Sequence, residues 1–146
     1  MVQRGVLLIV LLMVTNTAVA SSWKRLMIAD GLIVRVEVVS TQREQSMGRG
    51  NRDNLPVGTG MLFVYNRPAE RIFWMKRMRI PIDIVWIRKG QIVHIEHRVR
   101  PPLPIASDSS LKREGMGFPA DAVLELPAGY AGNHSITLGL TVQLER

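Results

Sequence analysis

From residue 25 onward the chain alternates apolar runs with short breaks rich in Gly, Pro and Asp, and its dominant hydrophobic period is two. Alternation at that period marks half-buried strands. Residues 25–29 and 33–40 form a first pair across the Asp30-Gly31 turn signal. Leu32, Val34, Val36 and Val38 are uniformly apolar and alternate with Ile33, Arg35, Glu37 and Val39, so the first set should face a core. Thr41-Gln42-Arg43-Glu44 has the spacing of a capping box, in which the Thr hydroxyl and the Glu carboxylate each accept an amide of the opening turn. It predicts one short helix, stopped by Gly48 and Gly50. Residues 61–65, 71–76, 82–88 and 91–99 follow as four strands, with Asn66-Arg67-Pro68 and Lys89-Gly90 as turns. The prolines at 101, 102 and 104 lack ladder donors and end the pairing. Residues 101–120 show no period and read as the most mobile loop, with Lys112 or Arg113 the first expected protease site. Residues 123–126 and 136–144 close the chain as strands around Pro127-Ala128-Gly129. The expected fold class is mostly β (α+β): a compact antiparallel β-barrel-like or sandwich domain with one short helix.

Pairing 71–76 with 82–88 about the Arg79–Ile80 bond, and 82–88 with 91–99 about Lys89-Gly90, sorts the side chains into two faces. One face carries Phe73–Trp86–Val93 and Met75–Ile84–Ile95 and reads as core. The other grades from Ile72–Ile87–Ile92 through Trp74–Val85–His94 to Lys76–Asp83–Glu96. Two carboxylates beside one ammonium, next to an imidazole and an indole, make this mixed face the candidate site. Trp74, Lys76, Asp83, His94 and Glu96 are its ligand-binding residues. A partly exposed structural charge row would need the same residues.

The first twenty residues read as an address. Arg4 supplies a positive start, Val6 to Val14 is unbroken apolar sequence, and Ala18-Val19-Ala20 is a small-x-small cleavage site. Nine apolar residues fall short of the roughly 20 needed to span a bilayer, although retention as an anchor is the alternative. The expected product is one domain over 21–146, exported to the periplasm or outside the cell after cleavage following Ala20. It keeps 18 of 19 basic residues and all 12 acidic ones, so its net charge is +6. A basic exported protein meets anionic envelope components rather than genomic nucleic acid. No cysteine is present, which excludes disulfides and thiolate metal sites. His94-Ile95-Glu96-His97 offers at most two ligands on one side of a strand, so no metal or cofactor is expected. There is no Gly-x-Ser-x-Gly motif and no phosphate-cradling Gly-rich loop.

Several motifs together are similar to those of the DUF192 (UPF0127) family. They are Val36-Glu37-Val38, Thr41, Glu44, Gly48, Arg52, Leu55-Pro56, Gly60-Met61-Leu62-Phe63, Phe73-Trp74-Met75-Lys76, Pro81-Ile82-Asp83, Pro101, and Leu124-Glu125 through Gly129. The resemblance implies a compact, mostly β fold with one short helix, in a predominantly exported setting, and no established biochemical role. Departures occur at Gly48-Arg49-Gly50-Asn51-Arg52, at Arg77-Met78 and at Gly139-Leu140, where the family pattern has other polar or apolar residues. The leading functional expectation is a monomeric, non-enzymatic exported binding module for a small polar or anionic ligand or an envelope partner, touching the membrane only through the signal segment. The alternatives are a small hydrolase or lyase using Lys76, Asp83 or Glu96 as acid–base groups, and a structural or accessory interaction protein.

Overall fold

The computed structural model describes residues 23–145 apart from Asp30, 48–52 and 104–106 and the side chains of 46 and 47. The proposed signal segment and the helix-stopping Gly48 and Gly50 therefore lie outside the described residues. Seven strands form one sheet: β1 (Trp23–Ile28), β2 (Leu32–Val39), β3 (Thr59–Glu70), β4 (Ile82–Arg88), β5 (Gln91–Val99), β6 (Pro119–Pro127) and β7 (Val142–Leu144). Their order is β5-β4-β6-β3-β2-β1-β7. All neighbours are antiparallel except β2 and β3, whose parallel pairing needs the long crossover between them. The sheet curls into a half-barrel, and its outer strands are stitched at one end. There the Gly139 amide donates to Ile92 O at 2.8 Å, Ile92 donates to Leu140 O at 3.0 Å, and Val142 donates to Gly90 O at 2.8 Å.

Both faces of this sheet are packed. The inner face collects Leu26, Ile28, Val34, Val36, Leu62, Val85, Ile87, Ile92, Leu124 and Leu126, with Val142 and Leu144 against them, so every strand contributes. The all-apolar set of β2 faces inward as expected, with Leu32 and Val38 packed on the same cluster. The outer face of β3, β4 and β6 carries Met61, Phe63, Ile82, Ile84, Trp86 and Val123, covered by Met75 and Met78. At about 25 cal/mol per Å2, two such layers are the main source of stability.

The helix α1 (Gln42–Met47) begins where the capping box places it. Glu44 N donates to Thr41 Oγ1 at 3.3 Å, and Thr41 N donates to Glu44 Oε2 at 3.1 Å. Hydrogen bonds that the carboxylate accepts from Thr41 favour its ionised form and hold Glu44 below its ordinary value. A depressed folded pKa stabilises above the ordinary carboxylate value and loses that contribution as pH falls through the lowered one. Protection of the Thr41 amide against hydrogen exchange, taken relative to the intrinsic rate at each pH, should therefore fall on acidification, and Thr41→Ala should move the onset to higher pH.

Four expectations are corrected. Residues 71–76 are not a strand: Phe73 makes one isolated bridge to Glu114, and the second edge of β4 pairs with β6 through Ile84–Glu125 and Trp86–Val123. Asn66-Arg67-Pro68 is not a turn but lies inside β3, where the β3–β6 register shifts between Val64 and Ala69. The stretch 136–144 is a strand only at its end. A second helix, α2 (Tyr130–Asn133), follows Gly129, whose φ of +82° suits a glycine; four residues give no readable helical period.

Candidate functional site

The Lys89-Gly90 turn and the Ile87–Ile92 pairing are as the sequence predicts, but two irregularities in β5 then redistribute its side chains. The register shifts by one residue after Ile92, so Trp86 opposes His94 rather than Val93, and Ile84 opposes Glu96. Val93 becomes the extra residue of a bulge, which keeps it on the Trp86 side together with His94. Ile95 returns to the inner face beside Val85, so it leaves the predicted layer, while Phe73, Met75, Ile84, Trp86 and Val93 stay together. A second shift between Ile82 and Ile84 leaves His97 and Arg98 opposite Asp83, with Arg98 at φ 51°.

These shifts disperse the predicted row of charges. Asp83 is fully buried on the inner face. Its Oδ1 accepts the amides of Arg98 at 2.8 Å and Gly129 at 2.9 Å, and Oδ2 accepts the Ala131 amide at 2.8 Å. It caps α2 and fixes the second bulge of β5, and it does not pair with Lys76. The Lys76 ammonium instead meets Asp108, in a 3-10 turn at Asp108–Ser110, and lies 5.2 Å from the ring centre of Trp74. Trp74 is exposed, and the Arg113 guanidinium lies 5.3 Å from its ring centre. The predicted set thus falls into two separate pairs and a lone Asp83: Lys76 stays beside Trp74, and His94 meets Glu96, with Nε2 and Oε1 3.0 Å apart. The His94 ring stacks on Phe118 with centroids 3.9 Å apart and planes within 3°, and it lies 5.2 Å from Trp86.

Residues 111–118 are tied down by named contacts rather than left as a free loop. Phe73 and Glu114 exchange both backbone hydrogen bonds, at 3.0 and 2.8 Å. Gly115 lies under the Trp86 indole so closely that a Cβ there would sit 2.4 Å from the ring, and its φ is +85°. Trp86 Nε1 donates to Arg71 O at 2.7 Å. Elsewhere on the outer face, Arg71 stacks 3.8 Å over the ring of Tyr65. Burial pushes the Tyr65 phenol up, Arg71 opposes the rise, and buried Glu125 adds to it.

Between the second half of β5 and the docked segment lies a cleft of about 750 Å3. Met75, Val99, Leu103 and Leu111 supply apolar lining, and Glu96, His97, Arg98, Arg100, Lys112 and Glu114 supply charge or imidazole. Glu114 is buried, and its Oε2 lies 2.9 Å from the exposed Lys112 ammonium. Glu114, with a smaller contribution from Glu96, pushes the Lys112 pKa above its ordinary value. Arg100 is exposed and has no ion pair among the described residues. The cleft thus keeps Glu96 from the predicted set and adds Lys112, Glu114 and Arg100. A glutamate among aperiodic residues gives no sign of burial before the Phe73 bridge is known. Among the described residues no group of three or more His, Cys, Asp or Glu side chains is placed to hold a metal.

Two solved structures share the fold. One, a protein of unknown function from Novosphingobium aromaticivorans DSM 12444, is 26% identical with a TM-score of 0.71, covering 83% of this chain and 84% of its own. The other, described as a candidate transcription regulator from Sinorhizobium meliloti 1021, is 21% identical with a TM-score of 0.74, covering 87% and 97%. No curated protein is significantly similar to the chain. The DUF192 family model, described as an uncharacterised group, matches residues 25–144, from the first strand through the last, and spans every element that builds the cleft. The chain belongs to the DUF192 family.

Proposed function

We propose that the protein is an exported binding module that takes a small polar or anionic ligand in the cleft between β5 and residues 107–114. The observation that carries this reading is the lining itself: apolar side chains with charges placed among them, Arg100 included, which has no ion pair among the described residues. Binding sites commonly combine mostly apolar walls with a few fixed polar groups. Asp83 contributes from behind, because its bond to the Arg98 amide holds the backbone of a lining residue in place. Of the residues named for the hydrolase or lyase alternative, Glu96 lines the cleft, and its contact with His94 is an arrangement that suits acid–base work.

The test is a thermal-melt panel of inorganic phosphate, dicarboxylates, sugar acids and amino acids. A ligand present at a hundred times its Kd stabilises by about 2.7 kcal/mol. At least one anionic compound should raise the midpoint. Arg100→Ala should abolish the rise while changing ligand-free stability by no more than about 0.5 kcal/mol, as for an exposed side chain. A rise that survives Arg100→Ala and the double change Arg100→Ala/Lys112→Ala would place binding elsewhere.

A further inference from the structure

We propose that the outer surface formed by residues 72–77 and 113–118 docks on anionic lipid bilayers. The Phe73–Glu114 bridge sets the geometry. Phe73 points into the outer core, meeting Phe63 and Trp86 edge-on, so its neighbours Ile72 and Trp74 point away from it. Glu114 is likewise buried, and Arg113 beside it comes out over Trp74. The result is a group of large apolar side chains in water: Ile72 at 43% exposure, Trp74 at 42%, Met116 at 63% and Phe118 at 38%. Four large exposed apolar side chains on two segments joined by one bridge are suited to an interaction surface.

The charge around them identifies the partner. Residues 66–79 and 107–119 hold seven basic and three acidic side chains; Lys76, Arg79 and Lys112 are paired with Asp108, Asp53 and Glu114, while Arg77 and Arg113 are in no ion pair among the described residues. One of the three carboxylates, Glu114, is buried. Lys76 and Arg113 flank the Trp74 ring, and Arg77 is exposed beside them. An indole with a polar edge, aliphatic side chains able to enter acyl chains, and cations at headgroup level are the components of an interfacial lipid site. A glycan surface would use the aromatic rings but gains nothing from exposed Ile72 and Met116. The exposed side chains of this surface are outside the cleft, although Met75 and Glu114 of the same two segments line it.

The full chain in a Trp23→Phe background leaves Trp74 and the fully buried Trp86 as emitters. It is mixed with vesicles of brominated phosphatidylcholine, with or without phosphatidylglycerol. Trp74 emission should be quenched only when phosphatidylglycerol is present, the quenching should fade at high salt, and it should vanish in Trp74→Phe. Arg77→Glu/Arg113→Glu should weaken partition at least about ten-fold. Ile72→Ser/Met116→Ser should weaken it without altering the melt. Three results would overturn the proposal: no vesicle association, association with Trp74 unquenched, or equal quenching without phosphatidylglycerol. A response to soluble polygalacturonate with none to vesicles would also overturn it and mark a site for acidic glycans.

Discussion

Asp83→Ala should destabilise the protein by about 3 kcal/mol or more in urea unfolding, because two buried amides and a partly buried one lose their acceptor at once. Each unsatisfied buried donor costs about 1–3 kcal/mol, and the Arg98, Gly129 and Ala131 amides all point at this carboxylate. Asp83→Asn keeps one oxygen but turns an NH2 toward a donor, so it should recover only part of the loss. Lys76→Met provides the contrast. Its partner Asp108 is exposed, so the change should stay within about 1 kcal/mol. In the mixed-face register Lys76 opposes Asp83, and only a buried structural pair there would have made Lys76→Met strongly destabilising and a second change at Asp83 restorative. Asp83 bonded to backbone amides, with Lys76 elsewhere, predicts no such restoration.

Trp86→Ala is the second large effect, about 3–5 kcal/mol for a fully buried indole. Its consequence should be local as well as global. The ring packs on Gly115, Phe73 and His94, and its N–H holds Arg71 O, so the indole joins β4 to both segments that cover the outer face. Tryptic cleavage after Lys112 or Arg113 should be slow in the native protein and accelerate in Trp86→Ala under conditions where both stay folded. Gly115→Ala should produce the same acceleration by pushing the ring away, since its backbone is also left-handed. Equal cleavage rates in all three proteins would mean that residues 111–118 are held by something other than this contact.

These two side chains mark where the sequence could be read and where it could not. The inward set of β2, the Thr41–Glu44 box and the Lys89-Gly90 turn are local signals, and each appears in the fold as the residue pattern says. The segment 71–76 has the composition of a strand, and a hairpin with β4 is the shortest connection available to it. A distant partner wins: β6 occupies that edge of β4, and Phe73 turns to Glu114 instead. No local signal distinguishes the two pairings, because both bury Phe73 beside Trp86. The bulge at Val93 is equally silent, since β5 reads as regular alternation with or without it. That single inserted residue moves His94 and Glu96 to the face of Trp86 and leaves Asp83 on the other. The predicted set therefore shares only Glu96 with the cleft lining, and Lys112, Glu114 and Arg100 join it from stretches without a readable period.

The central claim is that ligand binds between β5 and residues 107–114, and amide chemical-shift mapping tests it most directly. The most stabilising compound of the panel is titrated into 15N-labelled protein. Saturable shifts confined to the amides of Glu96–Arg100 and Ser107–Glu114, and absent in Arg100→Ala, are the predicted result. Saturable shifts centred instead on Ile28–Leu32 and His134–Leu140, where a smaller depression lies, would contradict it.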